Sequence, residues 1–386
     1  MVQTTEFRAH FPGLRDIVHL CSCSQGAQSD RAVVAMSEFM NSWRYGIAPW
    51  DEWMEMVDRA RAEFAALIHA SPRDVAVVSC ASEAAFQVAS TQDYRPERSV
   101  IVTNDLEFPS IAHVWLAAQQ KGAEVRFATE RDGIVETSQY LDLIDERVAL
   151  VSVPLISYAN GMRFSVAEIS QKAHEVGAKV VVDAYQGAGV MPIDVRTMDC
   201  DYLFSGALKY LLGIPGIAFL WTRPDAVTGP DPILTGWFAR QNPLSFTPRV
   251  LDYSLDARRF QTGTPGVAAA YAAVAGLSLI NETDPLQVLQ HVEALTDMLQ
   301  QKLLELAYPL YSPFSAPLRG PQIAVYSEDA EYLSAFLKDR AIYTSPRGKA
   351  VRLSLHFYNN VEDVDRTAEA FAAFRDVHPR GLNPSR

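Results

Sequence analysis

Between residues 75 and 222, short apolar runs alternate with amphipathic stretches. The runs are Val75–Ser79, Ser99–Thr103, Glu124–Ala128, Ala149–Ile156, Ala178–Val182, Tyr202–Phe204 and Ile217–Trp221. Among the intervening stretches, Glu83–Ser90, Ile111–Lys121 and Val166–Val176 have helical patterning. Strands that are nearly all apolar are covered on both faces, so the alternation predicts an α/β fold with a mainly parallel sheet between helices. Ligands bind such sheets beyond the carboxyl ends of the strands. Chemistry is therefore sought at those ends.

Beyond residue 222 the texture changes. Residues 223–250 are rich in proline and glycine and read as an irregular excursion. The alanine-rich stretch Val267–Ile280 predicts a buried helix and is too short for a bilayer, which needs ~20 apolar residues. An amphipathic helix (Pro285–Ala307), two strands (Gln322–Tyr326 and Ala350–Leu355) and helices near Glu331–Asp339 and Val361–Phe374 then suggest a smaller α/β domain. The expected division is a large domain, 17–282, and a small one, 283–386 joined by 1–16. Pro379–Arg386 reads as a loose end.

The chain has 386 residues, 48% hydrophobic and 21% charged, enough apolar content for a large core and too much for disorder. With 46 acidic against 34 basic side chains the formal charge is −12, which disfavours nucleic acid and acidic membrane surfaces as partners. The first residues lack a basic segment followed by an apolar one, so no secretory signal is expected. Four cysteines are too few for a disulfide scaffold. Cys21 and Cys23 have no Cys/His cluster to complete a metal site, and Cys80 and Cys200 read as small core residues beside strands. A reducing, cytoplasmic setting fits, with no metal.

One constellation carries chemistry. Asp183 ends the apolar run Ala178–Val182, and Gln186 follows it closely. A buried acid at a strand end needs a cationic partner or becomes costly; a helix N-cap is the plainer alternative. Lys209 lies 26 residues further on, just after the next strand and among apolar residues. A poorly solvated lysine loses proton affinity and becomes a competent amine nucleophile.

With these motifs in order, the sequence resembles the class V aminotransferase group of pyridoxal-phosphate (PLP) enzymes, which includes cysteine desulfurases, kynureninases and isopenicillin-N-epimerase-like proteins. The resemblance rests on Val182-Asp183-Ala-Tyr-Gln186, Ser205-Gly-Ala-Leu-Lys209, Arg259-Phe-Gln-Thr-Gly263-Thr264-Pro265 and Val351-Arg352-Leu-Ser-Leu-His-Phe-Tyr. It implies PLP fold type I, with a seven-stranded sheet and a small C-terminal domain. It also implies that Lys209 holds PLP as an aldimine and moves protons at the substrate Cα. Asp183 would keep the pyridine nitrogen protonated, and Gln186 would donate to the ring phenolate oxygen.

The same resemblance assigns the phosphate to Ala81 and Ser82 at a helix start, with Ser205 as a second candidate; a plain serine N-cap is the alternative for Ser82. Gly263 and Thr264 match a segment that reaches the neighbouring subunit's phosphate, which implies a homodimer with shared active sites. Trp237 resembles a kynureninase element near that phosphate, or is a buried core residue. Phe108 stands where desulfurases have histidine and would stack on the ring without shuttling a proton.

For the substrate, Arg352 matches the arginine that grips the α-carboxylate. Tyr158 replaces the family's usual asparagine, and Ser24 and Gln25 lie in a loop that borders the substrate. The segment Ile342–Val351 lacks the cysteine of sulfur-transferring desulfurases, so persulfide chemistry is disfavoured. Expected instead is a lyase-type C–S or C–C cleavage of an amino acid, on a cysteine conjugate or kynurenine-like substrate. The alternatives are transamination, epimerisation and decarboxylating deamination.

Overall fold

Seven strands form the central sheet: β1 (Val75–Val78), β2 (Val100–Asn104), β3 (Glu124–Ala128), β4 (Val148–Pro154), β5 (Lys179–Asp183), β6 (Tyr202–Gly206) and β7 (Ala218–Thr222). They correspond to the seven apolar runs, with ends displaced by a residue or two. In this computed structural model, residues 2–226 and 229–378 are described. The sheet order is β1-β7-β6-β5-β4-β2-β3, and only β7 runs against its neighbours. The buried side chains divide between the faces, Val180 and Val182 on one side and Val181 and Phe204 on the other.

Among the described residues, nine longer helices surround the two sheets: α1 (Asp30–Tyr45), α2 (Trp50–Leu67), α3 (Ala81–Ser90), α4 (Pro109–Ala117), α5 (Val166–Glu175), α6 (Val267–Asn281), α7 (Pro285–Glu305), α8 (Ala330–Lys338) and α9 (Val361–Val377). The sequence pattern read from residue 75 onward did not include α1 and α2, although α2 buries a stripe of Val57, Ala60 and Phe64. Of α1 only Ala32 is buried, while Val33, Val34, Met40 and Trp43 are exposed, so its apolar residues trace no single inward stripe. The stretch predicted as one helix over Ile111–Lys121 begins at Pro109, which opens α4, and finishes as a 3₁₀ turn, Ala118–Lys121.

A second, antiparallel sheet follows, from β8 (Gln322–Tyr326), β9 (Ser345–Arg347) and β10 (Ala350–Ser354), in the order β9-β10-β8. The edge strand β9 was not foreseen. The N-terminal segment is tied to this end of the chain: Arg8 pairs with Asp363 at 2.9 Å, and Val18–His19 runs parallel to Ile342–Tyr343. Pro379–Arg386, read above as a loose end, lies outside the described residues. Among those described, no helix is long and apolar enough to cross a membrane.

Two close approaches fix the segment that follows β6. A Cβ on Gly26 would overlap the Lys209 carbonyl oxygen, and one on Gly276 of α6 would overlap that of Leu211. The lysine backbone is thus clamped between the N-terminal loop and α6, and only hydrogen atoms fit in the gap. Gly276→Ala should force these elements apart, at about 1–3 kcal/mol for overpacking. The expected result is a melting temperature several degrees lower, read by circular dichroism.

Candidate active site

At the carboxyl ends of β4 and β5, one cavity of about 130 Å³ gathers Ala81, Ser82, Phe108, Tyr158, Asp183, Gln186 and Lys209. Seven of the residues singled out in the sequence therefore meet, from five separate stretches of chain. Sequence reading missed Glu107, Tyr185 and Cys80 on the same walls. The signal for Tyr185 was its place inside the Asp183-Ala-Tyr-Gln186 motif, and for Glu107 a lone acid between Leu106 and Phe108.

Asp183 is the last residue of β5, and its Oδ1 accepts the Tyr185 N–H at 2.8 Å. No helix starts there, so the helix N-cap alternative falls away; the next one opens at Val195 with Asp194 as its cap. Burial raises the Asp183 carboxyl above the ordinary range, against the Tyr185 N–H and the positive charge of Lys209. Burial also lowers the Lys209 ammonium, to about 8, while Asp183 opposes the fall. The amine lies 4.1 Å from the Tyr185 ring centroid and 5.3 Å from that of Phe108. Two aromatic rings therefore replace much of its water.

Gln186 is buried, and its Nε2 donates to the Cys23 carbonyl at 3.1 Å. The amide nitrogen has a second N–H, and the buried Oε1 has no partner. An orphaned amide oxygen inside a cavity is a place for a ligand. Ser82 occupies the first turn of α3, with Cys80 at the N-cap, so it is not the cap residue and its side chain lines the cavity. The helix N-terminus and this hydroxyl suit a phosphate. An amine, a carboxylate, a half-used amide and a helix start converge as PLP requires.

Other expected residues lie elsewhere. Ser205 is fully buried, and strand alternation turns it to the face opposite Phe204 and Asp183, so it does not line the cavity. Cys80 is no core residue: it is exposed at the cavity mouth, because the chain turns there from β1 into α3. Ser24 and Gln25 are exposed in a turn closed on the Cys21 carbonyl, beside but outside the lining. Trp237 is half-buried against Trp50 and Phe246, and Gly263 and Thr264 are exposed, all away from this chain's own cavity.

Arg352, buried on β10, donates to the Tyr158 carbonyl at 2.9 Å, the Ser345 hydroxyl at 2.7 Å and the Ser345 carbonyl at 3.2 Å. One N–H remains on each terminal nitrogen, the pair suited to a carboxylate. Tyr158, whose carbonyl anchors this arginine, stands edge-on to Phe108 with ring centroids 5.1 Å apart.

Known proteins resemble this chain in sequence and fold. The model of the family "Aminotransferase class-V" matches residues 35–367. An uncharacterized aminotransferase, YcbU of Bacillus subtilis, is 34% identical over 97% of this chain and 98% of its own. A kynureninase of Pseudomonas fluorescens is 26% identical over 88% of this chain and 85% of its own. The apo structure of a cysteine desulfurase from Thermococcus onnurineus superimposes with a TM-score of 0.88 at 22% identity, covering 98% of this chain and 99% of that one. With a lysine, a carboxylate and an amide meeting at the strand ends, and a family match spanning most of its length, the chain belongs to the class V aminotransferase family.

Proposed function

We propose that this class V enzyme, whose cofactor is pyridoxal phosphate, cleaves a C–S or C–C bond at Cβ of an amino-acid substrate. The observation that carries the reading is the Lys209 amine lining one cavity with Asp183 and flanked by Phe108 and Tyr185. When bound, the cofactor supplies an aldehyde for that amine and a ring that accepts electrons released at the substrate Cα.

The chain's own residues do the rest. Asp183 offers a negative charge from the cavity floor. Lys209, with its lowered proton affinity, takes the proton from Cα and returns it to the departing side of the substrate. Gln186 and the start of α3 would hold the ring and its phosphate, and Phe108 would supply an apolar wall with no proton to exchange. Arg352 receives the α-carboxylate with its two remaining N–H groups. Segment 342–350, where desulfurases carry a thiol, is spanned by the short strands Ile342–Tyr343 and Ser345–Arg347 and a turn at Gly348, and has no cysteine. That supports cleavage without persulfide transfer.

A second reading is transamination, favoured by the 34% identity to a protein named as an aminotransferase. Epimerisation and decarboxylating deamination use the same lysine. Holoenzyme given cysteine conjugates or kynurenine and followed by mass spectrometry should release thiol and pyruvate, or anthranilate. Conversion of the cofactor to its amine form without fragmentation would favour transamination. Lys209→Ala should abolish turnover, and borohydride should fix the cofactor to Lys209 in the parent protein only.

The active unit we propose is a homodimer. The Phe238 N–H donates to the Thr262 carbonyl at 3.2 Å, so the segments of Trp237 and Gly263-Thr264 adjoin on one surface. Phe246 and Trp50, in ring contact with Trp237, are 71% and 41% exposed there. An exposed aromatic patch beside the segments that the family resemblance assigns to a neighbouring subunit's phosphate suits a second copy. Sedimentation should give twice the chain mass of 42.7 kDa. Phe246→Asp should yield monomer and weaken cofactor binding about tenfold or more.

The amine itself can be read without substrate. Labelling of Lys209 in the apoprotein by an amine-selective acylating reagent should rise through a midpoint near 8. Asp183→Asn removes the anion that favours the charged amine, so that midpoint should fall. A midpoint near ~10.4, the ordinary lysine value, would contradict the desolvated setting.

A further inference from the structure

Glu107 is a buried acid without a task in the reaction above. It is 3% exposed and lines the cavity with Asp183 and Lys209. Its carboxyl is held twice: the Phe108 N–H donates to Oε1 at 2.9 Å and the Ser152 hydroxyl to Oε2 at 3.0 Å. The loop beneath is fixed as well. The Asn104 side chain accepts the Leu106 N–H at 2.8 Å and donates to the Tyr140 hydroxyl at 2.6 Å, and that hydroxyl donates to the Ser152 carbonyl at 3.0 Å.

Register brings this acid to Asp183. Ser152 precedes Pro154 by two residues on β4, and Pro154 is paired with Asp183 on β5. Paired residues, and residues two apart on a strand, share a face, so Ser152 and Asp183 face the same side of the sheet. Neighbouring strands lie only ~4.8 Å apart, and Glu107 reaches this corner from above. Two carboxyl groups then share one enclosed space with one lysine.

Such a pair cannot hold two charges cheaply. Burial, and next the Asp183 charge, push Glu107 well above the ordinary glutamate range. Asp183 is raised less, because the Tyr185 N–H and Lys209 favour its charged form. The other titratable groups around the corner are Tyr140 below and Cys80, Tyr158 and Tyr185 on the walls.

We propose that Glu107 is a positioning residue that stays protonated and thereby leaves Asp183 as the single carboxylate available to the cofactor's ring nitrogen. The inference rests on the cofactor assignment and is independent of the reaction catalysed. An ionised Glu107 would add a second negative charge and raise the proton affinity of Lys209 and of the ring nitrogen together. Neutral, it still accepts from Phe108 and Ser152, so the loop keeps its shape.

The test is ¹³C NMR of protein labelled at the glutamate carboxyl carbon, with and without PLP. One resonance, missing in Glu107→Gln, should titrate in the neutral-to-alkaline range in both forms, whereas ordinary glutamates titrate near ~4.3. Ser152→Ala should move that midpoint upward, because the hydroxyl favours the ionised form; a merely structural role would leave it in place. In the holoenzyme, the alkaline change in cofactor absorption that follows this titration should vanish in Glu107→Gln. A Glu107 resonance titrating below pH ~5, or a midpoint unmoved by Ser152→Ala, would overturn the proposal. Neither result depends on which substrate the enzyme takes, so failure of the lyase reading would leave them unchanged.

Discussion

Everything at this site depends on two opposite charges kept out of water in one cavity. Lys209 would be an inert surface cation if it were solvated. Burial lowers its proton affinity, and the Asp183 carboxylate keeps it from falling further. The two effects have opposite signs, and their balance leaves an amine that is partly deprotonated near neutral pH yet remains in a polar site. Asp183 carries the complementary strain: burial resists its charge, and the Tyr185 N–H and Lys209 restore it. Neither group would have its properties without the other.

The fold supplies the desolvation. Asp183 arrives at the end of a strand buried on both faces, and β6, paired with it, leads directly into the lysine segment. Gly26 and Gly276 let the N-terminal loop and α6 close on the carbonyls of Lys209 and Leu211. The Gly26 N–H also donates to the Leu208 carbonyl at 3.1 Å, and Gln186 binds the Cys23 carbonyl, so one loop braces both halves of the constellation. The amine is therefore placed by backbone contacts, which hold position more firmly than a flexible side chain could.

The sheet was legible because seven apolar runs have few other ways to be buried, and Asp183, Gln186 and Lys209 were legible because strand ends in such sheets face ligands. What escaped had weaker local signals. Helix α1 displays apolar residues outward, which erases its inward stripe; α2 does bury one, Val57, Ala60 and Phe64, but its charged residues leave that stripe narrow. Ser205 was assigned by motif alone, although alternation from Phe204 turns it to the other face. Cys80 looked like core because it follows an apolar strand, yet the chain turns outward at that residue. Tyr185 and Glu107 each needed the three-dimensional neighbour, Lys209 for one and Ser152 for the other, before their roles could be read.

Arg352 and Phe108, proposed above as substrate grip and cofactor cover, are joined through Tyr158. Arg352 lies on the small sheet, but its firmest tie across to the large one is the Tyr158 carbonyl, which also accepts from Gln322 at 3.3 Å. The Tyr158 ring in turn stands edge-on to Phe108, the residue beside the amine. An asparagine at position 158 could offer the same backbone carbonyl but no ring. The substitution therefore exchanges a polar donor for an aromatic wall, and makes that side of the cavity apolar together with Ile156 and Pro154. A substrate held by its carboxylate at Arg352 would present its side chain to a surface that rewards apolar area and offers one phenol to polar groups. On the function proposed above, that selectivity would follow from position 158 and leave the proposed role of Lys209 intact.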